Sequence, residues 1–163
     1  MVRVVPNSAK ARLGYGYALW QAGRRDEAAE QLEAGLRIIP NHPEMITTLA
    51  LTRTTSKDCS QAWALFERAL QIDPSHADTH RRMGDCYYKE GKMEEAESMY
   101  RVAVASIPFP DSMLYFMWGR SLEQTGKVSS AIAAYERGEL IDPDNKLIQE
   151  KLASLQKEES SRF

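Results

Sequence analysis

The chain has 163 residues, of which 43% are apolar and 27% are charged, and its formal net charge is −2. This size and composition suit one folded domain or one short array of repeats. A charge so close to neutral argues against nucleic acid or an anionic membrane as the main partner, and no apolar run is long enough to span a membrane.

The first residues, MVRVVPNS, are interpreted as an N-terminal tail over 1–8. They lack the apolar core of a secretory signal peptide. Arg3, Lys10 and Arg12 all precede the first acidic residue, Asp26. An organelle presequence is therefore the alternative to an ordinary tail.

A period of about 34 residues organises most of the chain. Its markers are prolines spaced 34, 34 and 35 residues apart: Pro40, Pro74, Pro108 and Pro143. Aligned on these prolines, the sequence contains four repeats, with Asp111 inserted before the last. The repeats span 9–42, 43–76, 77–110 and 112–145.

Each repeat places small and large residues in the same columns. The eighth residue is small and follows a large one; the pairs are Tyr15 and Gly16, Leu49 and Ala50, Met83 and Gly84, Trp118 and Gly119. Later columns hold Ala28, Ala62, Ala96 and Ala131, and then Leu32, Phe66, Tyr100 and Tyr135. Two antiparallel helices approach closely where small side chains face large ones. The columns therefore predict a helical hairpin in every repeat, with the large residues buried.

Glycines and prolines predict where the helices end. Three repeats have a glycine that suits the left-handed residue after a first helix: Gly23, Gly91 and Gly126. The proline ends the second helix because it cannot donate a backbone hydrogen bond. The second repeat has Lys57 instead of glycine, so we expect its first helix to end early, with Asp58 or Ser60 capping the next helix.

This pattern of helix, glycine, helix and proline resembles the tetratricopeptide repeat (TPR) family over about nine-tenths of the chain. The resemblance implies an all-α solenoid, with four helical hairpins in a right-handed superhelical arc. After the last repeat, apolar residues recur at helical spacing in KLIQEKLASL. We predict a capping helix over 146–159 that covers the apolar end of the array, and a polar tail over 160–163.

No motif for catalysis, cofactor binding or metal binding is found: the sequence has no P-loop, dinucleotide fingerprint, nucleophile elbow or zinc-protease helix. We expect no enzyme activity, no cofactor and no metal. His76 and His80 come nearest to a metal site, but we expect both to be solvent-exposed turn residues. Cys59 and Cys86 lack the spacing of metal ligands or a redox pair, so we expect reduced thiols and a reducing compartment, either cytoplasm or an organelle matrix.

In the TPR family the first helices line a concave groove and the second helices form the convex back. The same arrangement here gives a groove with apolar side chains at both ends and mixed charges between them, which predicts a protein- or peptide-binding surface. For Trp20 the alternative is burial against a neighbouring helix. The predicted groove residues are Leu13, Tyr17, Trp20, Leu51, Asp78, Arg81, Asp85, Tyr88, Lys89, Met113, Phe116 and Arg120.

Some TPR proteins bind the acidic C-terminal tails of heat-shock chaperones through Lys, Asn and Arg side chains in the groove. The matching positions here hold Leu13, Tyr17, Thr48, Asp78 and Arg82, of which only Arg82 fits. We therefore expect no binding of such tails. The leading hypothesis is a non-catalytic scaffold that binds a peptide or helix in its groove. The alternative is a structural or assembly subunit of a larger complex, docked through its ends and groove.

Overall fold

The computed structural model describes residues 8–55 and 58–160, with side chains up to Glu158 in the last helix. Every regular element in these residues is an α-helix, as predicted. The helices are α1 (Ala9–Gln21), α2 (Arg25–Ile38), α3 (Pro43–Thr52), α4 (Trp63–Ile72), α5 (Ala77–Lys89), α6 (Met93–Ser106), α7 (Ser112–Gln124), α8 (Val128–Ile141) and α9 (Lys146–Ser160). The predicted tail residues 1–7 and 161–163 lie outside the described part of the chain.

The chain divides into two compact units, Met1–Met83 and Gly84–Phe163, and the division falls inside α5. The first unit contains α1 to α4 and the beginning of α5. The second unit contains the rest of α5 and α6 to α9. Each unit has a hydrophobic core of its own.

The predicted helix ends are confirmed in three repeats. Gly23, Gly91 and Gly126 follow first helices with φ values of 77°, 75° and 76°, in the left-handed region. Glycine adopts this conformation without the steric cost that a Cβ would add. Each second helix ends two residues before its marker proline, at Ile38, Ile72, Ser106 and Ile141.

The turn in the second repeat differs from the others, and the predicted early end of its first helix is confirmed, but the predicted cap of its second helix is wrong. Helix α3 ends early, after 10 residues where α1 has 13. The residue before α4 is Ala62, which has no side chain to cap the helix. Asp58 instead accepts hydrogen bonds from the Ser60 backbone and hydroxyl (2.8 and 3.0 Å), so both residues are committed to a turn of their own. Lys57 lies outside the described residues.

The core of the first unit follows the predicted columns. A Cβ at Gly16 would lie 2.7 Å from Leu32 Cγ, so α1 and α2 pack closely at this point. Leu32 and Met45 are fully buried in a cluster that draws on α1, α2, α3 and α4. Tyr15 is an exception, because it is 36% exposed although its column predicts a buried residue.

The core of the second unit uses glycine and tyrosine in the same way. A Cβ at Gly84 would lie 2.7 Å from the ring of Tyr100, and one at Gly119 would lie 2.6 Å from the ring of Tyr135. Both tyrosines are fully buried. The glycines therefore leave the space that the two rings occupy, as the columns predict.

Helix α9 packs on the second unit through its apolar face. Ile148, Leu152 and Leu155 are buried and cluster with Phe116 of α7 and Tyr135 of α8. The burial of these three side chains accounts for the helical spacing of the apolar residues after the last repeat.

Two expectations about individual side chains are wrong. Neither cysteine is free: Cys59 and Cys86 are both disulfide-bonded and both are buried. Because disulfides persist in oxidising compartments, the cysteines give no support to the reducing compartment that we expected. His80 is 8% exposed, and its Nε2 lies 2.9 Å from the carbonyl oxygen of Pro74, so the side chain packs inside the turn instead of facing solvent.

Candidate functional site

A cavity of about 590 Å³ opens in the first unit beside α1, α3 and the beginning of α5, and we call it the α1 cavity. Its volume lies within the range of about 300–1,000 Å³ that is usual for ligand pockets. The lining residues are Lys10, Leu13, Gly14, Tyr17, Ile39, His42, Glu44, Thr48, Asp78 and Arg82.

The apolar wall of the α1 cavity comes mainly from one face of α1. Leu13 and Tyr17 are four residues apart, so they lie one turn above each other on that face. Leu13 packs against the core cluster, whereas Tyr17 is 38% exposed and presents its ring to solvent. Gly14 adds open space, since no atom lies within 4 Å of the position of its missing Cβ.

The charged residues of the α1 cavity carry both signs. Lys10 stands on α1 and Glu44 on α3, while Asp78 and Arg82 stand one turn apart on α5. The Arg82 Nε lies 3.2 Å from the Asp78 Oδ1, so these two form an ion pair. With two cations and two anions among them, these residues give the cavity no net preference for an acidic or a basic ligand.

A second cavity, of about 540 Å³, shares Tyr17 and Arg82 with the first. Trp20 lines it and is half-buried. The indole Nε1 of Trp20 donates a hydrogen bond to the Leu51 carbonyl oxygen at 3.2 Å, and its ring centroid lies 5.5 Å from that of Tyr17. Trp20 therefore ties α1 to the end of α3 while one side of it faces the cavity.

Four of the six groove residues predicted in the first unit line these cavities: Leu13, Tyr17, Trp20 and Asp78. Leu51 does not, because it is only 6% exposed, and our expectation that it is exposed is wrong. Arg81 is half-buried and lines neither cavity. The side chain of Leu51 belongs to the packing of α3, and only its carbonyl contacts Trp20.

Sequence reasoning did not select Ile39, which lines the α1 cavity and is 45% exposed. This residue lies in the turn after α2, and the repeat columns assign no groove position to turns. The sequence feature that could have identified Ile39 is its position as an apolar residue directly before the marker Pro40. Arg82 appeared only in the comparison with chaperone-binding proteins, where it was the one residue that fitted.

In the second unit, one predicted groove residue, Arg120, contacts two others. The Arg120 guanidinium lies 4.9 Å from the ring centroid of Tyr88 and 5.8 Å from that of Phe116. Phe116 is 7% exposed, which contradicts the expectation that it is an exposed anchor. Its ring packs beside Tyr135 at 6.0 Å and within the α9 cluster, so the last helix covers it.

The other predicted residues of the second unit are scattered. Asp85 accepts a hydrogen bond from the Tyr100 hydroxyl at 2.9 Å. Lys89 is exposed at the end of α5, and Met113, in the first turn of α7, is 39% exposed. Neither these three residues nor Phe116 lines the cavity that opens among α6, α7 and α8.

A half-buried carboxylate network lies close to Arg120. Glu123 accepts a hydrogen bond from the Tyr135 hydroxyl at 2.9 Å and another from the Lys151 ammonium of α9 at 2.8 Å. Burial raises the pKa of the Tyr135 hydroxyl far above its usual range, and the hydrogen bond to Glu123 raises it further. These groups satisfy one another, so the network stabilises the attachment of α9 instead of offering charge to a partner.

Profiles described as "Tetratricopeptide repeat" match residues 9–52, 54–112 and 114–145. The chain belongs to the tetratricopeptide repeat family. TPR proteins are generally non-catalytic modules for protein–protein interaction. The described residues contain no group of three His, Cys, Asp or Glu side chains placed to hold a metal ion.

The TPR chain is similar to proteins of varied kinds. The general transcriptional corepressor trfA of Dictyostelium discoideum is 26% identical over 146 residues, covering 89% of this chain but 10% of the corepressor. The chain thus spans about a tenth of that relative's length. Pseudomonas aeruginosa pilF superposes with a TM-score of 0.85 at 21% identity, over 94% of this chain and 69% of pilF. MamA superposes with a TM-score of 0.72 at 19% identity, over 89% and 84%.

None of the described helices combines the length and the apolar character that crossing a membrane requires. The TPR fold indicates protein partners.

Proposed function

We propose that this TPR chain binds an extended or helical segment of a partner protein at the α1 cavity and the cavity that adjoins it. The observation that carries the proposal is the 590 Å³ opening in which exposed Tyr17 and Leu13 stand among charges of both signs. Exposed aromatic side chains in a concave site are the residues that most often dominate protein interfaces.

The lining defines the ligand that fits. An apolar side chain of the ligand would lie against Tyr17 and Leu13, with acidic and basic residues on either side of it. A basic ligand residue would pair with Glu44, and an acidic one with Lys10. A uniformly acidic tail would meet the carboxylates of Glu44 and Asp78, which disfavours the tails of heat-shock chaperones.

The residue that best tests the proposal is Tyr17, because its side chain is exposed and supports little of the fold. Trp20 is a poorer choice, since its hydrogen bond to Leu51 also holds α1 against α3. Tyr15 offers a matched control: it is a tyrosine of the same helix with similar exposure, 36% against 38%, but it does not line either cavity.

The experiment is affinity purification from the native source with wild-type chain and two variants as bait, read by quantitative mass spectrometry. The Tyr17→Ala variant should lose the specific partner, and its measured affinity for that partner should fall by about 30-fold, or about 2 kcal/mol. The Tyr15→Ala variant should retain the partner. If a folded Tyr17→Ala protein keeps full affinity, the site is elsewhere and the proposal fails.

A second candidate function is that of a structural subunit in a larger assembly. It is favoured by two large apolar side chains in the second unit: Phe109, in the loop between α6 and α7, is 93% exposed, and Leu140, near the end of α8, is 83% exposed. The same purification separates the two candidates. A stoichiometric set of proteins that is lost with Phe109→Ser and Leu140→Ser supports a subunit, whereas one substoichiometric protein lost with Tyr17→Ala supports the module.

A further inference from the structure

A separate cavity of about 590 Å³ lies in the second unit among α6, α7 and α8, and we call it the α7 cavity. Its floor is apolar and comes mainly from Tyr115 and Trp118 of α7, whose ring centroids are 6.4 Å apart, with Val104 of α6 beside them. Helix α8 contributes Ala133 and Ala134, and their short side chains leave the space open. The repeat columns assigned the outer faces of second helices such as α6 and α8 to the solvated back of the molecule, so sequence reasoning missed this cavity.

The rim of the α7 cavity is positively charged. Arg101 of α6, Lys127 at the N-cap of α8 and Arg137 of α8 all line it, and the one acidic residue among the lining residues is Glu97. Lys127 Nζ lies 2.7 Å from Glu97 Oε2, and Arg101 Nε lies 3.9 Å from Glu97 Oε1, so both cations share one carboxylate. Arg137 forms no ion pair with any residue in the described part of the chain.

The formal charge around this opening is therefore about +2, on a chain whose net charge is −2. The Arg101 and Lys127 side chains are 61% and 51% exposed, so a ligand can reach their charged ends. A basic rim around an apolar floor attracts a ligand that has acidic groups next to an apolar one.

Trp118 adds a polar feature to the floor. Its indole Nε1 is buried and has no hydrogen-bond acceptor among the described residues. Unsatisfied buried donors are rare in folded proteins and call for an explanation. An oxygen atom from a ligand in the cavity would provide the missing acceptor once the indole ring turns toward it.

We propose that the α7 cavity is a second docking site, which takes an acidic peptide segment carrying one bulky apolar side chain. The apolar side chain would lie on Tyr115 and Trp118, and the flanking Asp or Glu residues would pair with Arg137, Arg101 and Lys127. This site goes beyond the proposed function, because it lies in the other unit and selects a different ligand: the α1 cavity is balanced in charge, whereas the α7 cavity is basic.

The probe is a fluorescein-labelled synthetic peptide with a central phenylalanine flanked by glutamates, titrated with the full chain and followed by anisotropy. Two matched peptides replace either the glutamates by lysines or the phenylalanine by alanine. We expect saturable binding of the acidic phenylalanine peptide and at least tenfold weaker binding of both matched peptides. Equal binding of the lysine peptide, or no saturable binding of the acidic one, would overturn the proposal.

Two pairs of variants test the place of binding. Arg137→Glu should weaken the peptide at least tenfold, whereas Arg37→Glu, the same charge reversal on exposed α2, should leave it unchanged. Ala133→Phe should fill the cavity and block binding, whereas Ala105→Phe, at an exposed alanine of α6 outside the cavity lining, should not. Circular dichroism confirms that each variant is folded, and normal binding by folded Arg137→Glu and Ala133→Phe proteins would refute the site.

Nuclear magnetic resonance of the ¹⁵N-labelled full chain gives an independent readout. Each tryptophan contributes one indole N–H signal, and the peptide should shift the signal of Trp118 and leave that of Trp20 in place. A shift of the Trp20 signal alone would place the peptide at the first-unit cavities and disprove the α7 site. Failure of Tyr17→Ala to lose its partner would refute the proposed function only, so the two claims can fail separately.

Discussion

At the scale of single residues, the second unit shows which side-chain contacts the repeat columns predict and which they do not. They predict that Tyr100 and Tyr135 fill the spaces beside glycines, and both rings do. They do not predict the partners of the two hydroxyls, Asp85 and Glu123. One acid directly follows its glycine and the other stands four residues after it, so no shared column contains them. Hydrogen-bond partners depend on side-chain geometry, which periodicity does not encode.

The Tyr135 hydroxyl predicts a pH dependence of stability. Its pKa is raised in the folded chain by burial and by the hydrogen bond to Glu123, whereas in the unfolded chain it has the ordinary value of about 10. Above about pH 10 the unfolded state releases a proton that the folded state keeps, so the free energy of unfolding is intact below this pH and falls as pH rises.

Urea unfolding of wild type and Tyr135→Phe at several pH values between about 9 and 11 checks this expectation. The variant should be less stable at neutral pH, because it lacks the hydrogen bond, but its stability should fall less steeply with pH. Tyr15→Phe is the control, because it makes the same chemical change at an exposed position. Identical slopes for wild type and Tyr135→Phe would contradict the burial argument.

A close packing contact in α6 predicts a contrast between two leucine substitutions. Ala96 is fully buried, so Ala96→Leu should overpack the hairpin of α5 and α6 and destabilise the chain by about 1–3 kcal/mol. Glu94→Leu, two residues earlier on an exposed position, should change stability by less than about 0.5 kcal/mol. Thermal unfolding ranks the pair, and the opposite order would mean that the column assignment is wrong.

At the scale of helices, the sequence predicts well which segments are helical. It predicts less well the residue at which each helix begins and the element that packs over its apolar face. The early end of α3 was predicted from the missing glycine. The start of α4 was not predicted, because the Asp58 carboxylate accepts a hydrogen bond from Ser60 instead of capping α4. Phe116 is on the predicted face of α7, yet it is buried, because α9 and Tyr135 pack over it. Periodicity predicts the face of a helix but not the element that covers this face.

The packing of α9 predicts different roles for two leucines of this helix. Leu152 is 5% exposed inside the cluster with Phe116, so Leu152→Ala should cost about 2–5 kcal/mol. Leu147 is 48% exposed, and Leu147→Ala should cost much less. Chemical unfolding measures both, and equal small losses would show that α9 adds little to the stability of the second unit.

At the scale of the whole molecule, the repeat number, the helical class and the family were all predictable from one sequence, because four copies of one pattern reinforce one another. The disulfide bonding of Cys59 and Cys86 was not predictable, since the number and the spacing of the cysteines in this sequence identify only metal-binding and redox motifs. The α1 and α7 cavities were not either. The volume of a cavity depends on the space left beside small residues such as Gly14 and Ala133. The pattern of apolar and polar helix faces in a sequence does not indicate how large that space is.

The left-handed glycines Gly23, Gly91 and Gly126 would accept mirror-image amino acids. No heavy atom lies within 4 Å of an L-configured Cβ built on any of the three, so the only obstacle to the methyl group of L-alanine is the sign of φ. An L-alanine would be strained there by about 1–2 kcal/mol, whereas D-alanine prefers this very conformation. It would also restrict the unfolded chain, which stabilises by about 0.4–1 kcal/mol per site. A chain assembled by chemical ligation with D-alanine in all three turns should therefore gain about 1–3 kcal/mol, while the L-alanine version should melt at a lower temperature than wild type.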